Sequence, residues 1–198
     1  MYPTLTIPTQ KFKLNLIQAD ITNIPVDAMV NPANKGLRGG GGVDGAIHHS
    51  AGPKLVYACL QLGSCETGEA KITKGFKSKA KYIIHTVGPI YQIEGDKAKE
   101  LLANCYLNSL KLADKYALYT ISFPSISTGA FGYPKQEASE IALKTVKTFL
   151  DNNATSIREV NFINFTETDN NYYIQTVQKL IPGCENCNCI ETTSAFKI

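Results

Sequence analysis

Apolar and polar residues alternate from Phe12 to Gln18 (FKLNLIQ), which predicts a half-buried strand, and Val26–Val30 (VDAMV) predicts a second, more buried one. Tyr82–Val87 (YIIHTV), Ala117–Phe123 (ALYTISF) and Glu159–Phe165 (EVNFINF) are short apolar runs rich in β-branched residues and without helical period; they read as interior strands. Three-and-four spacing marks the helices. Over Pro134–Leu150 the apolar positions Ala138, Ile141, Ala142, Val146, Phe149 and Leu150 fall on one face, and Pro134 suits a first helical turn. Asp96–Tyr116 repeats the pattern with Leu101, Leu102, Cys105, Leu110 and Ala113, and Asp169–Leu180 predicts a shorter last helix. Glu69–Thr73 predicts one more strand, close enough to Tyr82 to pair as a hairpin and make the sheet mixed. Strands alternating with helices predict an α/β chain whose sheet is covered on both faces.

Composition narrows this without redirecting it. A chain of 198 residues, 43% hydrophobic and 19% charged, suits one ordinary core. We expect a body over residues 11–182, preceded by an extension at 1–10 and followed by a tail at 183–198, where periodicity is lost after Pro182-Gly183. The net charge of +3 comes from dispersed lysines and does not call for a nucleic-acid partner. Pro3, Pro8, Lys11 and Lys13 interrupt any signal-peptide core, and no apolar run reaches membrane-spanning length, so a cytoplasmic protein without membrane contact is expected. Cys59, Cys65 and Cys105 are scattered through the body while Cys184, Cys187 and Cys189 crowd the tail, which is not a disulfide framework.

The chemistry concentrates in Asn31–His48, NPANKGLRGGGGVDGAIH, where four consecutive glycines stand between two asparagines and an Asp/His pair. Glycines leave the backbone open to a ligand, and a helix starting near Val43 or Asp44 would turn N–H donors and positive partial charge toward an anion such as a phosphate. No Gly-Lys-Ser/Thr follows, which disfavours a Walker loop, and the run fits GxGxxG poorly. Asp44 and His48, four apart, share a helix face. A second strand-to-helix loop, Pro124–Pro134 (PSISTGAFGYP), again carries glycines, with Phe131 and Tyr133 as flat surfaces for a ribose or base. Each feature has a plainer use taken alone: a flexible linker, a helix cap, a turn-forming asparagine, an anchoring aromatic. Their coincidence at one sheet end favours a single site.

These segments resemble the macrodomains, and within them the MacroD-type ADP-ribosyl hydrolases. The resemblance rests on Ala19-Asp20-Ile21-Thr22, Val30–Asn34, Gly39–His48, Ala80–Pro89 (AKYIIHTVGP) and Ser127–Pro134, and spans about residues 11–182. It implies a three-layer α/β/α fold around a mixed sheet, with ADP-ribose in a cleft across the strand ends. Asp20, with Ile21 beside it, matches the aspartate that receives the adenine amino group, and Phe165 falls near the aromatic that stacks on adenine. Asn34 faces the distal ribose in such proteins, with Asn31 supporting its loop. Gly40, Gly41, Gly42 and Val43, with Ser127, Thr128, Gly129, Ala130 and Phe131, match the diphosphate cradle. Asp44 and His48 match the pair that separates hydrolases from binders, and with Asn34 they form the expected catalytic group. His85, in a strand motif shared widely, is expected to face away from the cleft.

The implied activity is removal of mono-ADP-ribose ester-linked to aspartate or glutamate of proteins, and deacetylation of O-acetyl-ADP-ribose. Partners would be these ligands and ADP-ribosylated proteins, with nucleic acid entering only as a modified substrate; a non-catalytic ADP-ribose reader is the opposing class. No cofactor is implied. No metal is implied either, because the zinc-using branch carries its ligands in the catalytic loop, where this chain has only glycines, and the three tail cysteines lack a fourth ligand. Lys35 and Arg38 stand where many relatives carry uncharged residues, and either add attraction for the pyrophosphate or for an acidic protein substrate, or are solvated decoration.

Overall fold

The unalternating, β-branched runs form the middle of one sheet, as strands buried on both faces must. In a computed structural model, which describes residues 4–9 and 11–181, β3 (Val26–Pro32) lies between β5 (Ala80–Thr86) and β6 (Thr120–Phe123) and is parallel to both. β7 (Glu159–Asn164) and β2 (Lys13–Gln18) continue the parallel array beyond β6. An antiparallel strand closes each edge, β1 (Thr4–Pro8) on β2 and β4 (Ala70–Lys74) on β5, giving the seven-stranded order β1-β2-β7-β6-β3-β5-β4. The β4–β5 pairing is the hairpin expected at Glu69–Thr73 and Tyr82, and the sheet is mixed, as expected.

Helices cover both faces, which gives the three-layer α/β/α arrangement. On one side α4 (Ala98–Lys115), α5 (Lys135–Asn152) and α6 (Glu167–Leu180) pack Leu102, Leu110, Val146 and Val177 against Val30, Ile121, Phe123 and Phe162. On the other, α1 (Gly42–Ala51) and α2 (Lys54–Leu62) pack Ile47, Leu55 and Cys59 against Met29, Ile83 and Ile163. Alternation along β3 therefore sends Val30 to one core and Met29 to the other, and burying each such side chain contributes about 1.5–3 kcal/mol. No helix among the described residues is long and apolar enough to cross a membrane.

Two expectations need correction. Residues 1–10 are more than an extension, because Thr4–Pro8 pair with β2 as an edge strand and Thr6 Oγ1 donates to Asn15 Oδ1 at 2.8 Å. The run TLTIP ends on a proline, which has no N–H to give, and such a strand is stable only at an edge. The pattern also gave no sign of α2 (KLVYACLQL), a short helix in which apolar residues outnumber polar ones: Leu55 and Cys59 are buried while Tyr57 and Leu60 are exposed. A four-residue helix, α3 (Tyr91–Glu94), and a late start to the predicted 117–123 strand, which begins only at Thr120, complete the differences. The cysteines of the tail lie outside the described residues.

One polar contact ties the sheet together at the end away from the strand C-termini. Asp27 Oδ2 accepts from the backbone N–H groups of Tyr119 (2.9 Å) and Thr120 (3.1 Å), and Asp27 Oδ1 meets Lys81 Nζ at 2.6 Å, so one side chain links β3 to both neighbours. Burial pushes this carboxyl upward, but the lysine and the two N–H donors together outweigh it and hold it below the ordinary value of 3.8. A carboxylate with a lowered folded value stabilises above its unfolded value and loses that contribution as pH falls through the folded one. Asp27→Ala should lower unfolding free energy in urea by about 1–3 kcal/mol at pH 7, and the gap from the native protein should close as the pH is taken below 3.8. An equal gap at both ends would contradict this account.

Candidate active site

The site is set by the way β3 and β6 are left. The strands are adjacent and parallel, yet β3 leads to α1 on one face and β6 leads to α5 on the other. The loops that follow them must diverge, and a crevice opens at the strand C-termini, the usual ligand position in α/β sheets. Here it is a cleft of about 520 Å³ walled by the ends of β2 and β7 as well, with Asp20, Ile21, Gly42, Val43, Thr128, Gly129 and Phe165 among its lining residues. A larger depression of about 630 Å³ lies at the opposite sheet end between Lys11 and Arg158, away from every clustered functional group.

The glycine loop is bare for two different reasons on its two sides. Toward the protein, a Cβ on Gly39 would stand 3.2 Å from the His48 ring, one on Gly40 would stand 3.2 Å from Asp44 Oδ2, and one on Gly45 would strike the Gly40 carbonyl at 2.5 Å. Toward the cleft, a Cβ on Gly41 or Gly42 would meet nothing within 4 Å. The loop is thus pressed against α1 from below and open above. α1 begins at Gly42 with Gly41 as its cap, and no side chain serves its first N–H groups. Across the crevice Ser127 is buried at φ 65°, a left-handed conformation uncommon for serine, and its hydroxyl has no partner among the described residues. Such strain collects at functional loops.

Beneath the glycines lies a buried polar cluster. Asp44 and His48, one turn apart on α1, approach to 3.5 Å between Oδ1 and Nε2. Asn31, at the end of β3 and fully buried, donates from Nδ2 to Asp44 Oδ1 at 2.8 Å. The same Nδ2 lies 3.1 Å from Nδ1 of His85 on β5, whose Nε2 lies 3.0 Å from Thr73 Oγ1 on β4 and 3.6 Å from Cys59 Sγ on α2. Burial raises the Asp44 carboxyl above the ordinary 3.8, with the Asn31 donor and His48 opposing it less strongly. Burial also drives the His85 imidazole down to about 3, helped by His48, and the Cys59 thiol up to about 11, helped by Asp44. The donor atoms of His48, Cys59 and His85 lie within 4.8 Å of one another. That thiol is protonated and both His85 nitrogens are engaged, so the trio is a packed polar cluster rather than a ready ligand set.

The residues predicted for one site thus divide into two adjoining groups. The cleft wall holds Asp20, Ile21, Gly42, Val43, Thr128, Gly129 and Phe165, with Phe165 72% exposed and free to stack. Asp20 also caps a 3₁₀ turn, accepting from the N–H and hydroxyl of Thr22 at 2.9 and 2.7 Å. Asn31, Asp44 and His48 form the buried cluster, and Gly40 and Gly41 bridge the groups. Asn34 turns its Nδ2 to the Gly39 carbonyl (2.8 Å) and so pins the loop. Ala130 is exposed and Phe131 half-buried on the second loop, where the Phe131 carbonyl accepts from the Tyr91 N–H at 2.9 Å.

Three readings change. Tyr133 is buried at 3% exposure with its ring 4.8 Å from that of Tyr91, an anchor of its loop and not a cleft surface. His85 does not face away: it lies on the α1 side of the sheet, in contact with Asn31. Lys35 is bonded to Glu66 at 2.8 Å, so its charge is already matched. Unforeseen at the cleft wall are Lys135, paired with Asp169 at 2.6 Å, and Asn164. The only hint of Lys135 was its place one residue past a helix-starting proline.

This crevice, walled by a glycine loop and a second strand-to-helix loop, is a ligand site of the macrodomain kind. The macro domain family model matches residues 30–142, and the chain belongs to that family. It is 53% identical over 160 residues to a macro domain-containing protein of Chlorobaculum tepidum, covering 81% of this chain and 92% of that one. It is 49% identical over 176 residues to the ADP-ribose glycohydrolase MACROD2 of Homo sapiens, covering 88% of this chain but 41% of that longer protein. Among solved structures, the Oceanobacillus iheyensis macrodomain with ADP superposes with a TM-score of 0.87 at 44% identity, over 91% of this chain and 98% of the other. The Trypanosoma brucei macrodomain in complex with ADP-ribose gives 0.78 at 39%, over 83% and 68%.

The raised Asp44 carboxyl carries a cost to folding. A carboxyl whose folded value lies above its unfolded one contributes fully below the unfolded value and loses that contribution as pH rises through the folded one. Asp44→Asn should therefore melt above the native protein at pH 7, by about 2–4 °C for each kcal/mol released, and the advantage should shrink as the pH approaches 3.8. Calorimetric scans across that range check it; a variant that melts lower at pH 7 would refute it.

Proposed function

We propose that the protein binds ADP-ribose along this crevice and hydrolyses the ester joining it to an aspartate or glutamate of a modified protein, and likewise the acetyl ester of O-acetyl-ADP-ribose. The carrying observation is a buried carboxylate, Asp44, bonded by Asn31 and adjoined by His48, directly under a glycine loop whose outer side is open. Adenine would lie against Phe165 with its amino group toward Asp20, and the diphosphate along Gly40–Val43 and Ser127–Phe131. That lays the distal ribose over Asn34 and Asp44. The names of the relatives, a glycohydrolase among them, support the same reading.

The chemistry asked of the side chains is modest. A water is added across the ester: it gives up one proton as its oxygen bonds to carbon, the ester oxygen–carbon bond breaks, and the freed carboxylate leaves. Asp44 takes the water's proton, directly or through a ribose hydroxyl, and a carboxyl raised by burial is a better base than an exposed one. His48 holds the hydrogen-bond network beside it. Positioning by the diphosphate cradle does the rest.

Two measurements test this. With a glutamate-ADP-ribosylated protein, the native enzyme should release free ADP-ribose and Asp44→Ala should do so at least about 10²-fold more slowly. Tight ADP-ribose binding by the native protein without release would make it a reader and overturn the hydrolase. Gly41→Val should weaken ADP-ribose binding in calorimetry by about tenfold or more, the loss of a few close contacts, with the melting temperature unchanged because its Cβ meets no protein atom. Unaltered affinity would remove the diphosphate from this loop.

A further inference from the structure

Asn31 and His85 determine each other's orientation. An ionised carboxylate only accepts hydrogen bonds, so the atom of Asn31 that faces Asp44 Oδ1 at 2.8 Å is its amide nitrogen. One N–H is used there. The same nitrogen is 3.1 Å from His85 Nδ1, and the second N–H points the bond that way only if Nδ1 offers a lone pair. The ring proton must then sit on Nε2, where Thr73 Oγ1 at 3.0 Å accepts it. The imidazole is fully buried, and burial keeps it neutral down to about pH 3, so it does not become a double donor in the working range. A neutral ring with this tautomer acts as a fixed acceptor.

We propose that His85 is a positioning residue of the hydrolytic site, accepting one N–H of the Asn31 amide at Nδ1 and thereby holding the other on Asp44. The chain runs from Thr73 on β4 through His85 on β5 and Asn31 on β3 to Asp44 on α1, so neighbouring strands set the donor that the carboxylate receives. Without the acceptor, the amide can turn its oxygen toward Asp44, which replaces a donor by a repelling acceptor. The kinetic consequence rests on the hydrolase reading; the tautomer and the amide orientation do not.

The titratable groups facing Asp44 are His48 on its own helix, Cys59 on α2 and, behind Asn31, His85 on β5. Loss of the Asn31 donor removes one of the two influences that oppose burial, so the carboxyl should rise further. Two substitutions separate this from simple packing. His85→Asn carries an amide oxygen close to the position of Nδ1 and keeps an acceptor for Asn31. His85→Gln reaches the Nε2 end by Thr73 and leaves the Asn31 N–H without one.

The expected result is that His85→Asn keeps kcat within about threefold of native, while His85→Gln loses about tenfold to hundredfold. In His85→Gln the acidic limb of the kcat/KM profile should move to higher pH, with ADP-ribose affinity within about threefold of native in both variants. Equal rates and equal pH profiles for the two variants would overturn the proposal. Nitrogen-15 spectra of the histidine rings in the native protein give a reading that needs no variant: His85 protonated at Nε2 is expected, and protonation at Nδ1 would overturn it. If the native protein binds ADP-ribose without turnover, the hydrolase reading fails, while the ring spectrum still decides the orientation of Asn31.

Discussion

The pairing of β3 with β6 is the constraint on which the site depends. Two parallel strands lie side by side, and because their following helices pack on opposite faces, the backbone at their C-termini has to part. Every loop with chemistry in it starts at that edge: the glycine loop after β3, the Pro124–Pro134 loop after β6, Asp20 after β2 and Phe165 after β7. The two cores act as the clamps. Met29 and Ile47 hold α1 down on one face, and Phe123 with Ala142 hold α5 on the other, so the crevice lies between two separately packed layers.

At the floor of that crevice the protein accepts an expense that a purely structural design would avoid. A carboxylate is buried beside a histidine and an amide, with no lysine or arginine bonded to it among the described residues, and its partners only partly offset the loss of water. Elsewhere in the same sheet Asp27 shows the opposite arrangement, matched by a lysine and two backbone donors and held low. The contrast separates a carboxylate that fastens strands and is held low from one that burial holds high. The glycines fit the same logic, since Gly39 and Gly40 make room below for His48 and Asp44 and their successors stay open above.

Much of this was legible in the sequence because the signals were local. Strand period, helical spacing and the i, i+4 relation of Asp44 and His48 are carried by neighbours in the chain, and the glycine run announces a close approach wherever it falls. The misses share a different cause. α2 hid because it is short and rich in apolar residues, and what decides between Leu55 and Leu60 is which side the sheet lies on. β1 was missed because a five-residue strand ending in proline is stable only through its partner. Tyr133 reads like a ligand surface until Tyr91 arrives from another part of the chain to cover it.

The sequence alone determined the alternation of elements and the layered α/β architecture, and it set the glycine run beside the Asp44/His48 pair, since these follow from residue type and spacing. Only the tertiary structure decided what those residues experience. Asp44 is a raised carboxyl because packing buries it, and β3 brings up Asn31 as a donor that only partly opposes the rise. His85 contacts Asn31 because β5 pairs in a register that sets the two opposite each other. Burial and through-space bonding are properties of pairs distant in sequence, and no local pattern encodes which strand will lie beside which.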